Sequence, residues 1–533
     1  MHVRRKTLLW LIAPFVVALV AAWVQWLVAG LPSVSVGELM SDASGPPGFP
    51  AWLRVTHYLN LLFIVVLVRS GLQILMDHPR LYWNVHCTPG TEWVRFTPVI
   101  VPKDRVWTAK DDNRYLTPWI GLPGGRHTLG LARHWHFAVV AFWVLNGAAF
   151  YALLFATGQW RRIVPTSWHV VPDAWAIFVH YATLHLPPEP DGFYGYNALQ
   201  KLAYFGAVFV LAPLSILTGP SMSPALVNRF RWYRRLPGNR QVGRSIHFLI
   251  MCGWLLFVGA HVTMVAVTGF ARNMNHIVLG RDDWGMFGLV LGAIGVAVVA
   301  IVNGLANWIS HHKPRTLQHV ASGFINPIQS LLLDHHAPQT EYTKDDISPY
   351  LWPNGKMPVS QEWKDLTKDG FEGYRLRVHG LVENPVTLSL DELRALGHKT
   401  QITLHHCIQG WSGIAAWGGL PMADLIKLVR PKPEARAVIF YSFGEGGEGG
   451  QYYDSHSIEN VTHPQAMLAY EMNFAPLTEL HGAPLRLRVE NQLGFKMVKW
   501  ISAIEFVEDV KRIYMGEGGY NEDNEFFNSM ADI

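Results

Sequence analysis

The chain has 533 residues, too many for one hydrophobic core, so two or more domains are expected. Half of its residues are hydrophobic, only 16% are charged and 22 are tryptophan; soluble chains carry about a quarter charged residues, so the composition indicates a membrane protein with indoles suited to the bilayer interface. The net charge of +4 is too small and scattered to indicate nucleic acid, and three cysteines without a CxxC pair support neither a disulfide framework, structural zinc nor an iron–sulfur cluster.

In chain order, Arg4, Arg5 and Lys6 precede about twenty apolar residues, which read as an uncleaved first span. The stretch is long for a secretory signal, and the residues after the paired arginines match a twin-arginine signal poorly. Six runs have the length and character of membrane spans: Leu8–Val28, His57–Leu75, Trp135–Thr157, Leu202–Thr218, Ile246–Thr268 and Met286–Ile309. The segment Trp168–Leu186 contains Pro172, Asp173 and three histidines and is expected to be an interfacial helix. After His311 no apolar run recurs. A polar linker over 311–346 leads to a domain over 347–533, where strand-like segments such as Leu376–Val378, Val438–Tyr441 and Leu485–Val489 alternate with turns. The expected fold is an all-α bundle of six spans (1–310) followed by a soluble α+β domain.

Basic residues set the orientation. Arg229, Arg231, Arg234, Arg235, Arg240 and Arg244 lie between spans four and five, while residues 29–53 have no Lys or Arg. The positive-inside rule puts the Arg-rich loop and the N-terminus in the cytoplasm, and six spans return the C-terminal domain there too. Arg161 and Arg162 fall on the other side and argue against this arrangement.

Ionisable groups are costly in a bilayer and usually serve a purpose there. His247 and His261 share span five, fourteen residues apart (247 to 261). That is about 21 Å along a helix, with the two rings within about 40° of one face. One helix thus offers a ligand near each membrane surface. His57 lies level with His261 on the outer side, and His136 (or His134) level with His247 on the inner side. Helix-end histidines bonded to water are the bland alternative, which four at matched depths make less apt. Bis-imidazole iron gives a low-spin heme that transfers electrons. The segments RVTHYLNLLFIVVLVRSG at 54–71 and RHWHF at 133–137, with the His247/His261 pair, resemble the di-heme cytochrome b subunits of formate dehydrogenases and hydrogenases. The resemblance implies two hemes b, ligated by His57, His136, His247 and His261. Arg69 is placed to meet a heme propionate or to snorkel to headgroups.

Cys252, inside an apolar run, reads as a buried core residue, and Cys87 lies in a polar loop without a local signal. Around Cys407 the sequence is LHHCIQGWSGIAAWGGL, 404–420. Beside two histidines and a Gly-rich turn, this cysteine can be a nucleophile, a metal ligand or an inert core residue. CxxGWS at 407–412, WGG at 417–419, EMN at 471–473, HGAPLRL at 481–487 and GFKMVKW at 494–500 resemble, in order, the sulfite oxidase and bacterial methionine-sulfoxide reductase superfamily, which binds molybdopterin. That resemblance implies that Cys407 ligates molybdenum and that His481 and Arg486 hold the pterin and its phosphate. It also implies that Gly494, Phe495 and Lys496 close over the cofactor; Phe495 and Trp411 serve core packing equally well. His405, Asn354 and Ser442 are assigned only by position near the motif. GEGGEGG at 444–450 lacks the flanks of a P-loop or dinucleotide fingerprint and reads as a loop over the site. The doublets His311/His312 and His335/His336, without ordered spacing, read as solvated.

Together these features predict a membrane-bound molybdenum oxidoreductase of a bacterial inner membrane. It would transfer oxygen to or from a small S- or N-oxide and exchange electrons through its hemes with a quinone or another electron-transfer protein. The rival reading is a heme b conduit whose C-terminal domain binds a partner without catalysis.

Overall fold

The computed structural model describes residues 2–519 apart from 4, 35–44, 127, 188–191, 231–237, 334–341, 447–449, 515 and 517. Arg231, Arg234, Arg235, His335, His336 and the middle of the glycine run lie outside the described residues.

Six helices are long and apolar enough to cross a membrane: Ile12–Ala29, Ala51–Asp77, Leu129–Ala156, Ala198–Met222, Arg240–Val267 and Phe287–His312. In chain order these are spans one to six. Their outward faces are apolar, with Leu256, Val262 and Ile301 exposed, while Thr56, Ser70, Gln73, Asn146 and Asn303 are buried between helices. That inverted pattern suits a lipid solvent, in which polar groups must be satisfied inside the bundle. Cys252 follows it and corrects the expectation of a core cysteine: it sits exposed on the outer face of span five. Span four is continuous but passes through one π-helical stretch, Gly206–Leu211. The segment with three histidines forms a helix over Val170–Ala182 that lies against span one, Trp175 Nε1 donating to Gln25 Oε1 at 2.8 Å.

The stretch expected as a linker contains a twenty-residue helix, Pro314–Leu333, which continues through Pro327. It rests along span three, where Phe324 meets Phe142 at 5.8 Å between ring centres.

The remainder is sheet-rich. β4 (Leu376–Gly380), β5 (Val386–Leu388), β8 (Ala437–Glu445), β9 (Gln451–Ser457) and β13 (Ile501–Val507) form one sheet in the order β5-β4-β13-β8-β9, in which only β4 and β13 run parallel. A second sheet joins β6 (Lys399–His406), β7 (Ser412–Pro421), β10 (Met467–Met472), β11 (Ala475–Pro476) and β12 (Arg486–Arg488). The core between them is built from Leu376, Val378, Leu420, Val438, Phe440, Leu468, Leu487 and Ile504, all fully buried.

The two halves share a second core. Tyr82, Cys87, Ala109 and Leu129 from the membrane half pack with Trp352, Cys407, Trp411, Trp417 and Phe495 in one buried cluster. Three short strands, β1 (His2–Val3), β2 (Arg80–Leu81) and β3 (Val94–Arg95), tie the start of the chain to the segment between spans two and three. That segment meets the soluble half directly: Trp352 Nε1 donates to the Cys87 carbonyl at 2.7 Å and Ala109 N to the Pro353 carbonyl at 2.8 Å. The N-terminus, the segments after spans two and four, and the soluble half therefore occupy one side of the bundle, as six spans require.

Candidate functional site

Neighbouring spans bring the histidines together in two pairs, span five running parallel to span three and antiparallel to span two. The rings of His136 and His247 stand 6.4 Å apart between centres, and those of His57 and His261 stand 6.2 Å apart. One metal ion bonded at about 2 Å to a nitrogen of each ring, plus roughly 1 Å from nitrogen to ring centre, needs a gap of this size. The inner pair is also fixed in tautomer. Ser70 Oγ donates to the Val66 carbonyl at 2.7 Å, and Thr218 Oγ1 to the Leu214 carbonyl at 2.7 Å. Their hydrogens committed, these hydroxyls accept from His136 Nδ1 at 3.1 Å and His247 Nδ1 at 2.8 Å. Each Nε2 is then left with a lone pair, the form that binds metal. At the outer pair His261 Nδ1 reaches Tyr204 at 3.4 Å. His134 is engaged elsewhere, its Nδ1 on the Gly130 carbonyl at 2.9 Å and its Nε2 3.4 Å from Ser322. Arg69, half-buried, binds Asn303 Oδ1 at 2.7 Å and the Gly121 carbonyl at 3.0 Å.

Cys407 follows β6 in the turn that leads to β7. Its amide donates to the Trp411 carbonyl at 3.0 Å, and its carbonyl accepts from Gly410 at 3.1 Å. Gly410 has φ +105°, and an added Cβ would stand 3.0 Å from the Arg244 guanidinium, so only glycine suits this turn. The Cys407 side chain is fully buried. Asn354 Nδ2 donates to its Sγ at 3.6 Å. Burial pushes the thiol up to about 12, so in the protein alone it keeps its proton. The two flanking histidines are themselves held neutral by burial, His406 at about 3 and His405 well below its usual range. A metal cation at Sγ would displace the proton.

The other candidates surround this turn. Arg488 donates to His405 Nδ1 at 3.0 Å, which fixes the His405 proton on Nε2. The ring lies against Gly494, where a Cβ would come within 2.2 Å of it. Phe495 is buried in the shared core. Arg486 lies with its guanidinium 4.6 Å from the Trp417 ring centre and donates to the His481 carbonyl at 2.9 Å. His481 is lowered to about 4 by burial and sits 3.3 Å from the Leu351 carbonyl. Ser442 Oγ donates to the Lys499 carbonyl at 2.7 Å.

The two lysines of GFKMVKW differ in role. Lys496 is buried in an ion pair with Asp454 and donates to the Ser455 carbonyl. Lys499, which the sequence did not single out, turns its ammonium to the Asn354 and Leu480 carbonyls, beside Arg486. Burial pushes both Lys499 and Arg486 well below their ordinary values; neighbouring Arg486 adds to the effect on Lys499, and Arg488 to that on Arg486. Glu490 gives its oxygens to Arg488. Among the described residues Arg486 and Lys499 have no ion pair, and Arg486 Nε is buried without a partner. Two adjacent buried cations call for an anion, and a phosphate fits.

The membrane half closes the same site. Arg240, first residue of span five, donates to the Cys407 carbonyl at 3.0 Å, and Gln241 to the Gly410 carbonyl at 2.9 Å and Ser412 Oγ at 3.0 Å. Cys87 has φ 46° and places its Sγ 3.4 Å from the Ser412 amide. His78 and Tyr82 are fully buried near Trp352, and both ring nitrogens of His78 and the Tyr82 hydroxyl lack partners among the described residues. None of these lies in a motif; only the Arg-rich composition around 229–244 hinted at them.

Comparison with known proteins agrees with this division. Residues 48–279 match the prokaryotic cytochrome b561 family, and residues 363–515 match the oxidoreductase molybdopterin binding domain. YedZ1 of Azospira oryzae, named as a protein-methionine-sulfoxide reductase subunit, is 34% identical over 28% of this chain and 54% of its own length. A second match to a protein of that name and organism is 29% identical over 41% of this chain and 89% of its length. The protein-methionine-sulfoxide reductase catalytic subunit MsrP of Xanthomonas axonopodis pv. citri is 32% identical over 25% of this chain and 45% of its length. The chain spans about half the length of the first and third of these relatives. It joins a multi-pass, heme b-type cytochrome domain to a molybdopterin-binding oxidoreductase domain, as the motifs implied.

Proposed function

With these two domains in one chain, we propose that the protein is a molybdenum oxidoreductase in which a molybdopterin site anchored by Cys407 exchanges electrons with two hemes b. The inner heme is held by His136 and His247, the outer by His57 and His261. The observation that carries this reading is the continuity between the sites. Arg240 grips the Cys407 carbonyl from the helix that carries His247 seven residues on, about 10 Å along the axis.

Bound there, the molybdenum cofactor supplies two-electron oxygen-atom transfer and the hemes supply one-electron steps. The chain provides the rest. Cys407 Sγ presents a ligand steadied by Asn354, and Arg486 with Lys499 bind the pterin phosphate, His481 standing at its edge. Gly494 lets His405 and the backbone close over the pterin, with Phe495 packed beneath. Ser442 and Lys496 support that segment, the first through the Lys499 backbone and the second through Asp454. The membrane half covers the Cys407 turn and excludes bulk water, which favours a small S- or N-oxide as substrate. In the reducing direction its S–O or N–O bond breaks, two electrons arrive through the hemes, and the oxygen leaves with two protons as water.

The domains read as 1–310, a connecting segment over 311–346, and 347–533. Arg80, Arg95, Arg114 and Arg126 lie on the side of Arg240, Arg244 and the soluble half, which supports a cytoplasmic molybdopterin domain on a bacterial inner membrane. A quinone in the bilayer is the partner suited to the outer heme. The test is turnover of dimethyl sulfoxide or methionine sulfoxide by the full-length protein in detergent with a reduced viologen dye. Turnover that disappears in Cys407→Ser while the heme spectrum persists supports the reading. Turnover equal in Cys407→Ser and wild type contradicts it.

A further inference from the structure

Among the described residues, two half-buried arginines at the inner end of the bundle have no carboxylate partner. Arg133 lies three residues before His136 in span three, and Arg240 lies seven before His247 in span five. At helical spacing each arginine shares a face with the histidine that follows it. Arg133 Nε is buried without a partner, and its guanidinium stands 5.1 Å from the Phe137 ring centre. Arg240 Nε is likewise buried and unpartnered among the described residues, and its Nη1 donates to the Cys407 carbonyl. The two guanidiniums are close enough to repel one another, and Arg244 adds to the repulsion on Arg240. Neighbouring Arg244 differs, since Asp77 faces it and it donates to the His78 and Arg80 carbonyls. An unpaired buried charge costs several kcal/mol, and two that repel one another cost more.

We propose that Arg133 and Arg240 bind the carboxylates of the heme between His136 and His247, so that Arg240 holds a heme propionate and the Cys407 backbone at once. Two cations meet the two acidic groups of one porphyrin, in the charge-assisted geometry arginine favours. The inner heme and the molybdenum ligand are thereby joined through one side chain.

The proposal rests on the reading of His136 and His247 as heme ligands, which a pyridine hemochrome assay of the full-length protein tests separately: fewer than two hemes per chain removes that reading and this inference with it. With two hemes counted, the test is a spectroelectrochemical titration and the resonance Raman propionate modes of Arg133→Leu and Arg240→Leu. Losing a cation beside a propionate favours ferric heme. The reduction equilibrium of one heme should therefore fall about tenfold per arginine, about 59 mV for one electron. The other heme should stay unchanged, and Arg133→Lys and Arg240→Lys should regain most of the loss. If the leucine variants do not retain heme, the lysine variants decide by their propionate bands, which should shift. Unshifted bands there, or leucine variants with two hemes at wild-type potentials, overturn the proposal. Potential shifts that appear only in anionic phospholipid vesicles and vanish in phosphatidylcholine vesicles assign the arginines to lipid headgroups and also overturn it.

Discussion

At the inner histidine pair, His136 Nδ1 meets Ser70 at 3.1 Å and His247 Nδ1 meets Thr218 at 2.8 Å, each hydroxyl fixed in turn by a helix carbonyl. At the outer pair, His57 Nδ1 is buried without a partner among the described residues, and His261 reaches Tyr204 only at 3.4 Å. The ring separations are nearly equal, 6.4 and 6.2 Å, so the pairs differ in support rather than in spacing. The better-anchored pair lies at the end of span five that docks on the Cys407 turn. Rigidity is thus concentrated where electrons would pass between the halves, and the looser pair faces the side where a diffusing partner would arrive.

The sharpest way to break that contrast is to remove one ligand from each pair. His247→Ala should lose one heme and slow substrate-driven or dye-driven electron exchange with the molybdenum site at least 100-fold by stopped-flow absorbance, about 2.7 kcal/mol of barrier. His261→Ala should lose the other heme yet leave exchange with the remaining one within a few-fold. Equal slowing in the two variants would erase the distinction.

The soluble end offers a parallel contrast between two lysines. Lys499→Met should weaken retention of the pterin cofactor about 10- to 100-fold, the worth of a charge-assisted hydrogen bond. Lys496→Met, which strips Asp454 of its buried partner, should lower stability by about 3–5 kcal/mol instead. Cofactor content and thermal unfolding separate the two effects, and the reverse pattern would assign the phosphate contact to Lys496 instead of Lys499.

A finer cut exchanges the hydroxyls. Thr218→Val should weaken heme affinity at the inner pair about tenfold, near the lower limit for groups that orient a metal-binding histidine. Tyr204→Phe, acting across 3.4 Å, should change the outer pair less than threefold. Heme-transfer kinetics to apomyoglobin would measure each, and a larger effect from Tyr204 would invert the comparison.

The smallest effect is that of pH. Burial lowers His406 and His456 to about 3 and His481 to about 4. Their neutral forms stabilise the fold fully above the unfolded value near 6.5. That stability is lost as pH falls from about 6.5 towards 4, where the unfolded chain binds protons and the folded one does not, with a slope of up to about 1.4 kcal/mol per pH unit for each. His406 and His481, being partly exposed, contribute less. Unfolding of the soluble half followed by near-UV circular dichroism should shift to lower temperature across that window. A flat profile would show that these rings are protonated in the native protein.

How much the sequence disclosed tracks the severity of each constraint. A bilayer demands long apolar helices, so all six spans were legible, and one helix carrying histidines fourteen residues apart placed both pairs. Cys252 was misjudged because an apolar run does not say whether its neighbour is protein or lipid. The helix Pro314–Leu333 was missed because its polar face and Pro327 interrupt any apolar run. Lys496 and Lys499 lie three residues apart in one motif, and only the fold shows that Asp454 occupies the first. Arg240, Gln241, Cys87 and His78 were silent because a docking surface between distant segments leaves no local pattern. Cys407 itself stood out through the ordered motifs around it, whereas its burial, and the proton it therefore keeps, belong to packing that no motif encodes.

The most direct test of the central claim is the metal and heme content of the detergent-purified protein, with elemental analysis and a reduced-minus-oxidised visible spectrum taken on one sample. Expected are about one molybdenum and two low-spin b-type hemes per chain, the molybdenum absent from Cys407→Ser. Hemes without molybdenum, from a host that makes the cofactor, would contradict it and leave the soluble half as a partner-binding domain on a heme conduit.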